Sequence, residues 1–321
     1  MKKLLSCVSI ATLSAAMAPA AMADVNVAYF LEWATPNQIA KVEKAYDKAI
    51  GEKVNWVNFS TGTAMTEAML SGDIDISFSQ GLTPFVNAIN SNAPIKMVGV
   101  AVQYGAGGDC VVSNDSGISK DNATELEGKS VAVPLGTMSD YEFRVTMTTL
   151  GVDASKITVV DQEPADAAVS LTDGQVAMAC GFGANSLAKM NEVGKSMLTK
   201  EEKKDAGIVG VDIISVTEKF AEENPEALKT FLEVTEQANA DFAKDQSKIA
   251  VIAGDAGMSV EKTKEQMAGF TFPTEEEQMA NFFGDKGMFA ELLPFMGKMF
   301  ATEAAPAKDD YSAVIDTSFI E

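Results

Sequence analysis

The stretch Val131–Arg144, VAVPLGTMSDYEFR, joins a short apolar run to a polar segment. Val131–Val133 predicts a buried strand, and the Pro-Leu-Gly sequence after it ends that strand. Thr137, Ser139 and Asp140 are three candidate N-caps for the helix that follows. A helix start after a small-residue turn can hold an anion, because its first N–H groups lack internal partners and the helix dipole adds positive charge. An ordinary capped helix start explains the same residues, so the rest of the chain must decide.

Composition and charge exclude several classes of protein. The chain has 321 residues, enough for two domains, and a net charge of −21. This charge argues against binding to nucleic acid or to an anionic membrane surface. The sequence contains no histidine, which removes Ser–His and Cys–His nucleophile pairs and the commonest zinc ligand. Because P-loop, dinucleotide-binding and metal motifs are absent as well, we expect no enzyme activity, no cofactor and no metal.

The first 23 residues have the pattern of a secretory signal. A basic pair of lysines precedes the apolar stretch Leu4–Ala18, which is too short to span a bilayer. Ala21–Ala23 (AMA) is a typical cleavage site, so residues 1–23 are predicted to be removed and the mature protein to begin at Asp24 in the periplasm.

Two cysteines, Cys110 and Cys180, remain after this cleavage. An oxidising compartment allows them to form a disulfide. Both also have the pattern of small buried strand residues, so the sequence leaves both interpretations open.

A strand, a turn of small or hydroxyl residues and a helix start recur along the chain, as they do in α/β proteins. From Lys219 onward the pattern is almost entirely helical. We therefore predict an α/β fold with mostly parallel sheets, a helical C-terminal region and a cleft beyond the carboxyl ends of the strands. The predicted division places residues 24–103 and 214–321 in one lobe and residues 104–213 in the other.

Several segments carry a resemblance to a known family. They include Asn26–Tyr29 (NVAY), Ser60–Gly62 (STG), Ser71–Ile76 (SGDIDI), Leu126–Pro134 (LEGKSVAVP) and Phe220–Phe231 (FAEENPEALKTF). The mature chain resembles the substrate-binding proteins of ABC importers, in their nitrate/sulfonate/bicarbonate group and most closely its taurine-binding members. The resemblance implies a type II-like protein of two lobes that closes on a small zwitterionic solute, taurine first. It also implies delivery to the membrane permease of an ABC importer, and we expect a monomer.

Taurine carries a sulfonate and an ammonium, which need different partners. Backbone N–H groups at helix starts can hold the sulfonate without a lysine or arginine. Asp212 lies in the apolar strand sequence VGVDIISV and needs a cation, either the ligand ammonium or a protein side chain. Glu32 and Asp109 are alternative carboxylates or solvated surface acids. The predicted ligand-binding residues are Tyr29, Glu32, Trp33, Thr61, Thr63, Leu82, Thr83, Thr137, Ser139, Tyr141, Phe182 and Asp212.

Other ligands and functions stay open at this stage. Aromatic residues fall near strand ends at Tyr29, Phe30, Trp33, Tyr104 and Phe182. Core packing explains most of them, but two or three around one cleft would hold a quaternary ammonium by cation–π contacts. A betaine-type osmolyte or another alkanesulfonate is therefore the alternative ligand. A purely structural protein is the third class, although two-lobe patterning along the whole chain argues against it.

Overall fold

The computed structural model describes residues 24–105 and 107–320. The predicted signal segment, residues 1–23, lies outside the described residues. None of the described helices combines the length and apolar character that crossing a bilayer requires.

The strands alternate with helices through the first two thirds of the chain. They are β1 (Val25–Phe30), β2 (Val54–Phe59), β3 (Ile76–Gly81), β4 (Ile95–Tyr104), β5 (Gly108–Ser113), β6 (Ser130–Val133), β7 (Thr158–Asp161), β8 (Met178–Phe182), β9 (Gly194–Ser196), β10 (Gly210–Thr217) and β11 (Phe270–Thr271).

The helices flank these strands and then form the C-terminal region, as the sequence predicts. They are α1 (Asn37–Val42), α2 (Ala45–Ile50), α3 (Gly62–Ser71), α4 (Leu82–Asn90), α5 (Met138–Thr149), α6 (Pro164–Thr172), α7 (Ala184–Val193), α8 (Lys200–Asp205), α9 (Glu218–Glu223), α10 (Pro225–Lys244), α11 (Ile249–Ala256), α12 (Val260–Met267), α13 (Glu275–Asn281) and α14 (Met288–Met299).

The described strands form two sheets, which confirms the α/β class. The first has the order β11-β4-β10-β3-β1-β2 and the second β7-β6-β8-β5-β9. The expectation of mostly parallel sheets is corrected, because both sheets are mixed. Parallel pairing joins β2, β1 and β3 in one sheet and β7, β6 and β8 in the other, and the remaining pairings are antiparallel. For example, β10 joins the first sheet after the chain returns from the second, and it is antiparallel to both of its neighbours, β3 and β4.

The chain passes between the two sheets twice. It leaves the first sheet after β4 and returns to it through β10, which pairs with β3 and β4 along its length. The predicted lobe boundary at 103/104 falls at the end of β4, and the boundary at 213/214 falls within β10. The division into two lobes with these boundaries stays a prediction.

Each sheet has its own apolar core. The first core includes the buried residues Val27, Ile76, Val100 and Ile213, against which the C-terminal helices pack through residues such as Phe231. The second sheet is covered on both faces by separate apolar clusters, as expected for a sheet flanked by helices.

Cys110 and Cys180 form a disulfide within the second sheet. They lie directly opposite each other in the antiparallel pair β5 and β8, and both are buried. The alternative of two free buried thiols is thereby resolved in favour of the bonded form. This bond closes a loop whose ends are 70 residues apart in the sequence.

Candidate functional site

A cavity lies between the two sheets, at the ends of strands from both. Its volume is about 50 Å³. Residues of the first sheet and its helices, among them Trp33, Gly62 and Asp212, face residues of the second, among them Ser139 and Phe182. The cavity therefore fits a small solute that contacts both halves of the molecule.

Three helix N-termini meet at this cavity, from α3, α4 and α5. Gly62 is the first residue of α3, Gly81 is the N-cap of α4, and Thr137 is the N-cap of α5. The Thr137 hydroxyl accepts a hydrogen bond from the Ser139 N–H at 3.2 Å and donates one to the Pro134 carbonyl at 2.7 Å. Because the first N–H groups of a helix lack internal partners, three helix starts at one cavity are an arrangement that can hold an anion.

Ser139 adds a hydroxyl to this end of the cavity. Its Oγ is buried and has no hydrogen-bond partner among the described residues, and the residue lines the cavity. A buried hydroxyl without a partner is unfavourable. A bound anion would satisfy it.

Gly81 allows α4 and α5 to approach each other closely. A Cβ atom added to Gly81 would lie 2.7 Å from Cγ of Met138 and 3.6 Å from Oδ1 of Asp212. A side chain here therefore displaces Met138 and narrows the cavity beside Asp212.

We expect Gly81→Ala to weaken solute binding about tenfold, since a methyl group would occupy ligand space, at a stability cost of about 1–2 kcal/mol for the overpacking. Titration calorimetry and thermal unfolding measure the two effects. Gly254→Ala is the matched control, because a Cβ there meets no atom within 4 Å and alanine favours the helix. Unchanged affinity in Gly81→Ala would show that the cavity does not hold the solute here.

Asp212 supplies a buried carboxylate on the side of the first sheet. It is 3% exposed; its Oδ1 accepts a hydrogen bond from the Tyr104 hydroxyl at 2.7 Å and its Oδ2 one from the Ser79 hydroxyl at 2.9 Å. Burial raises its pKa to about 7, and these two hydrogen bonds oppose the shift. No lysine or arginine of the described residues forms an ion pair with it. The alternative, an ion pair between Asp212 and a lysine or arginine of the protein, is therefore not seen among the described residues.

A second carboxylate, Glu142, lines the cavity from α5. Lys203 of α8 lies 2.7 Å from its Oε1 and 2.7 Å from Oδ1 of Asp109. Burial raises the pKa of Glu142, and the lysine opposes that shift. Asp109 is therefore neither a ligand carboxylate in the cavity nor a solvated surface acid, but half of a largely buried ion pair.

Aromatic side chains form the walls between these polar groups. Phe30 and Phe182 meet edge to face across the cavity with ring centroids 5.9 Å apart. Trp33 and Tyr104 meet in the same way at 5.1 Å, and all four line the cavity. The Trp33 indole N–H donates to the Ser79 hydroxyl at 2.9 Å, so this wall also holds the group that orients Asp212.

The structure brings five of the twelve predicted residues into the cavity lining: Trp33, Thr137, Ser139, Phe182 and Asp212.

The other seven lie outside the lining. Thr61 caps α3, Thr63 bonds weakly to the Gly136 carbonyl, Thr83 contacts Met138, and Leu82 is fully buried. Tyr29 packs under the Lys41 ammonium, Tyr141 donates to the Gly207 carbonyl at 2.7 Å, and Glu32 bonds to Asn185. The first four still shape the helix starts that meet at the cavity.

Glu142 is a cavity residue that was not predicted, although the sequence carries a signal for it. Glu142 follows Ser139 by three residues, and residues three apart on a helix share a face. A cavity-facing serine at the start of α5 therefore points to Glu142 as the next cavity residue on that helix. Gly62 and Met138 lie within helix starts that the sequence predicts, Thr61–Thr63 and Thr137–Ser139, whereas Gly81 was missed because its contribution is close packing of the backbone.

Comparison with known proteins shows which of them resemble this chain in sequence and fold. The model of the family described as NMT1/THI5 like matches residues 37–249. The taurine-binding periplasmic protein of Escherichia coli K12 is 26% identical over 309 residues, which are 93% of each chain. The alkanesulfonate-binding protein of Xanthomonas axonopodis pv. citri, bound to MOPS, superposes with a TM-score of 0.71 at 16% identity, covering 92% of this chain and 99% of that one. The nitrate-binding protein of Synechocystis PCC 6803 gives 0.59 at 17% identity, covering 74% and 68%.

Two mixed sheets that face each other across a cavity are the fold that this chain shares with the solute-binding proteins named above. The chain belongs to the NMT1/THI5-like family.

Proposed function

We propose that this protein binds a small aminosulfonate, taurine first, in the cavity between its sheets and delivers it to the membrane permease of an ABC importer. The taurine-binding relative covers nearly the whole chain, and proteins of similar fold include sulfonate- and nitrate-binding proteins. The choice among these solutes rests on the charges of the cavity.

The observation that carries the proposal is the position of Asp212. A carboxylate that is 3% exposed and has no cationic partner among the described residues lines a cavity with three helix N-termini. A zwitterion satisfies both groups at once, since its sulfonate accepts the helix N–H groups and its ammonium donates to the carboxylate. Glu142 is less suited to this role, because the Lys203 ammonium lies 2.7 Å from its Oε1, whereas Asp212 has no cation beside it in the part of the chain that the structure describes.

Solutes that carry only a negative charge fit the same cavity less well. An alkanesulfonate or nitrate would satisfy the helix starts but leave Asp212 buried without a cation. That costs free energy, or requires the carboxyl to be protonated. We therefore place these anions below taurine in affinity.

A betaine is the second candidate, because four aromatic residues line the cavity. Its trimethylammonium would contact the faces of Trp33 and Tyr104 by cation–π interaction. However, a quaternary ammonium has no N–H group to donate to Asp212. In addition, the aromatic residues pair edge to face with each other, so part of each ring face is not available to the trimethylammonium.

Titration calorimetry with taurine, ethanesulfonate and glycine betaine tests the proposal directly. We expect a dissociation constant for taurine in the micromolar range or tighter at neutral pH, and binding at least tenfold weaker for the other two. Heat with glycine betaine alone would overturn the taurine assignment and establish the aromatic alternative. If ethanesulfonate binds with the same affinity as taurine, Asp212 does not contribute to binding through the ligand ammonium.

Affinity for taurine is expected to depend on pH through Asp212. Its pKa in the free protein is raised to about 7 by burial, and only the ionised carboxylate pairs with the ammonium. Binding therefore releases a proton below pH 7, and affinity should rise about tenfold between pH 6 and pH 8 and then level off. Calorimetry at pH 6 in two buffers of different ionisation enthalpy measures the released proton. The same affinity at both pH values would contradict this role.

Location and assembly follow from the same proposal. We infer export to the periplasm with removal of residues 1–23, and a monomer in solution. Mass spectrometry of the protein recovered from the periplasm should give a chain that begins at Asp24, and size-exclusion chromatography a single-chain mass. A retained N-terminus or a stable dimer would contradict these two inferences.

A further inference from the structure

The loop between β1 and α1 is held in place by the C-terminal helices. Its residue Glu32 has a left-handed backbone, with φ of 57°. The Glu32 N–H donates to the Ala256 carbonyl at 2.7 Å, and the Gln266 side chain donates to the Glu32 carbonyl at 2.9 Å. The same side chain accepts from the Ala34 N–H at 2.8 Å. The backbone of Glu32 is thus positioned by α11 and α12, independently of the second sheet.

The Glu32 side chain reaches from this loop to α7, which packs on the second sheet. Its Oε2 accepts a hydrogen bond from the Asn185 backbone N–H at 2.9 Å, and its Oε1 accepts one from the Asn185 side chain at 2.8 Å. Lys262 of α12 donates to Oδ1 of Asn185 at 2.8 Å. Asn185 therefore makes three hydrogen bonds, two as donor and one as acceptor, with the half of the molecule that holds the first sheet.

Glu32 acts as the cap that α7 lacks. The N-cap residue of this ten-residue helix is Gly183, which offers no side-chain oxygen. A Cβ atom at Gly183 would lie 3.0 Å from Oε2 of Glu32, and its φ of 87° favours glycine. A carboxylate at this position interacts favourably with the helix N-terminus. Phe182, which immediately precedes Gly183, lines the cavity.

These contacts span the two halves, so they exist only while the halves are close together. We propose that Glu32 is a positioning residue that raises solute affinity without touching the solute, by capping α7 in the closed arrangement alone. When the halves separate, α7 loses its cap, and the aromatic pair Phe30 and Phe182 on the same side parts with it. This inference rests on the proposed function, since the affinity concerned is that for taurine.

Two variants of Glu32 test the proposal. Glu32→Ala removes both acceptor bonds, and we expect taurine to bind about 5- to 30-fold more weakly, mainly through faster dissociation. Glu32→Gln keeps one acceptor oxygen and loses the charge, so its affinity should fall between wild type and Glu32→Ala. The control is Glu233→Ala, which removes an exposed carboxylate of α10 and should leave taurine binding unchanged.

Stopped-flow dissociation, calorimetry and small-angle X-ray scattering give the decisive readouts. We expect the taurine-free Glu32→Ala protein to have a larger radius of gyration than wild type, with only a small decrease in melting temperature from the lost cap. A lower melting temperature with wild-type dissociation rate and radius would show a merely structural role and overturn the proposal. If wild type itself binds no taurine, the proposed function fails. The radius comparison, which needs no solute, then decides on the capping role: an unchanged radius overturns it.

Discussion

Asp212→Asn is expected to weaken taurine binding about 30- to 1,000-fold at pH 8. The substitution keeps the shape of the side chain but removes the charge that pairs with the ligand ammonium. Losing a charge-assisted hydrogen bond in an enclosed cavity corresponds to about 2–4 kcal/mol. Titration calorimetry measures the change in affinity.

The same variant is expected to be more stable than wild type without ligand. The pKa of Asp212 is raised to about 7 in the folded protein, above its value in the unfolded chain, so the folded state binds the proton more tightly. Wild-type stability therefore falls as pH rises from about 4 to about 7, and above pH 7 the full cost, at most about 4 kcal/mol, remains. Asp212→Asn should unfold at a higher temperature than wild type at pH 8 and lose that advantage near pH 4.

Asp75→Asn is the matched control. Asp75 is also a partly buried carboxyl with a raised pKa, caused first by burial, but it accepts hydrogen bonds from Asn26 and is not in the cavity lining. It should bind taurine like wild type. A destabilised Asp212→Asn protein that still binds with near wild-type affinity would show that Asp212 has a structural partner instead.

Lys203→Met is expected to destabilise the protein by about 3–5 kcal/mol at pH 8. Lys203 is 5% exposed and Glu142 is 4% exposed, and the lysine Nζ lies 2.7 Å from carboxylate oxygens of both Glu142 and Asp109. Burial alone lowers the lysine pKa, but attraction to the two carboxylates outweighs it and leaves that pKa raised. Methionine fills similar space without the charge, and removing one partner of a buried ion pair leaves the other uncompensated. Denaturant unfolding measures the loss.

The loss should shrink as pH falls. Burial already raises the pKa of Glu142 with the lysine present, and removing the lysine raises it further. In the variant, the folded state therefore binds a proton more tightly than the unfolded state, so its stability recovers as pH falls toward 5.

Two further variants separate charge from packing at this position. Lys204→Met changes the exposed neighbour of Lys203 and should shift stability by less than about 0.5 kcal/mol. Lys203→Met combined with Glu142→Gln removes the stranded charge and should recover part of the lost stability. If Lys203→Met alone costs no more than Lys204→Met, the buried ion pair does not stabilise this part of the fold.

Local sequence pattern was enough to predict where the helix starts lie. Around the opening stretch, the strand Ser130–Val133 is followed by α5, with Thr137 as N-cap. Short apolar runs, hydroxyl caps and small-residue turns act over a few neighbouring residues, so they are legible in the sequence. The same reasoning identified Asp212 as an acid that an apolar strand would bury.

Partners distant in the sequence were decided by the tertiary structure. Glu32 bonds to a residue 153 positions away and Asp212 to hydroxyls 133 and 108 positions away. Glu32 and Asp212 are both acids near strand ends, yet one caps a helix of the other half and the other faces the cavity. The sequence by itself determined the helix starts, the buried acid and the α/β class, because these depend on local propensity and apolar periodicity. Only the tertiary structure decided which acid meets a protein cation, a helix N-terminus or the cavity, because the charge environment of a carboxylate is set by contacts between segments far apart in the chain.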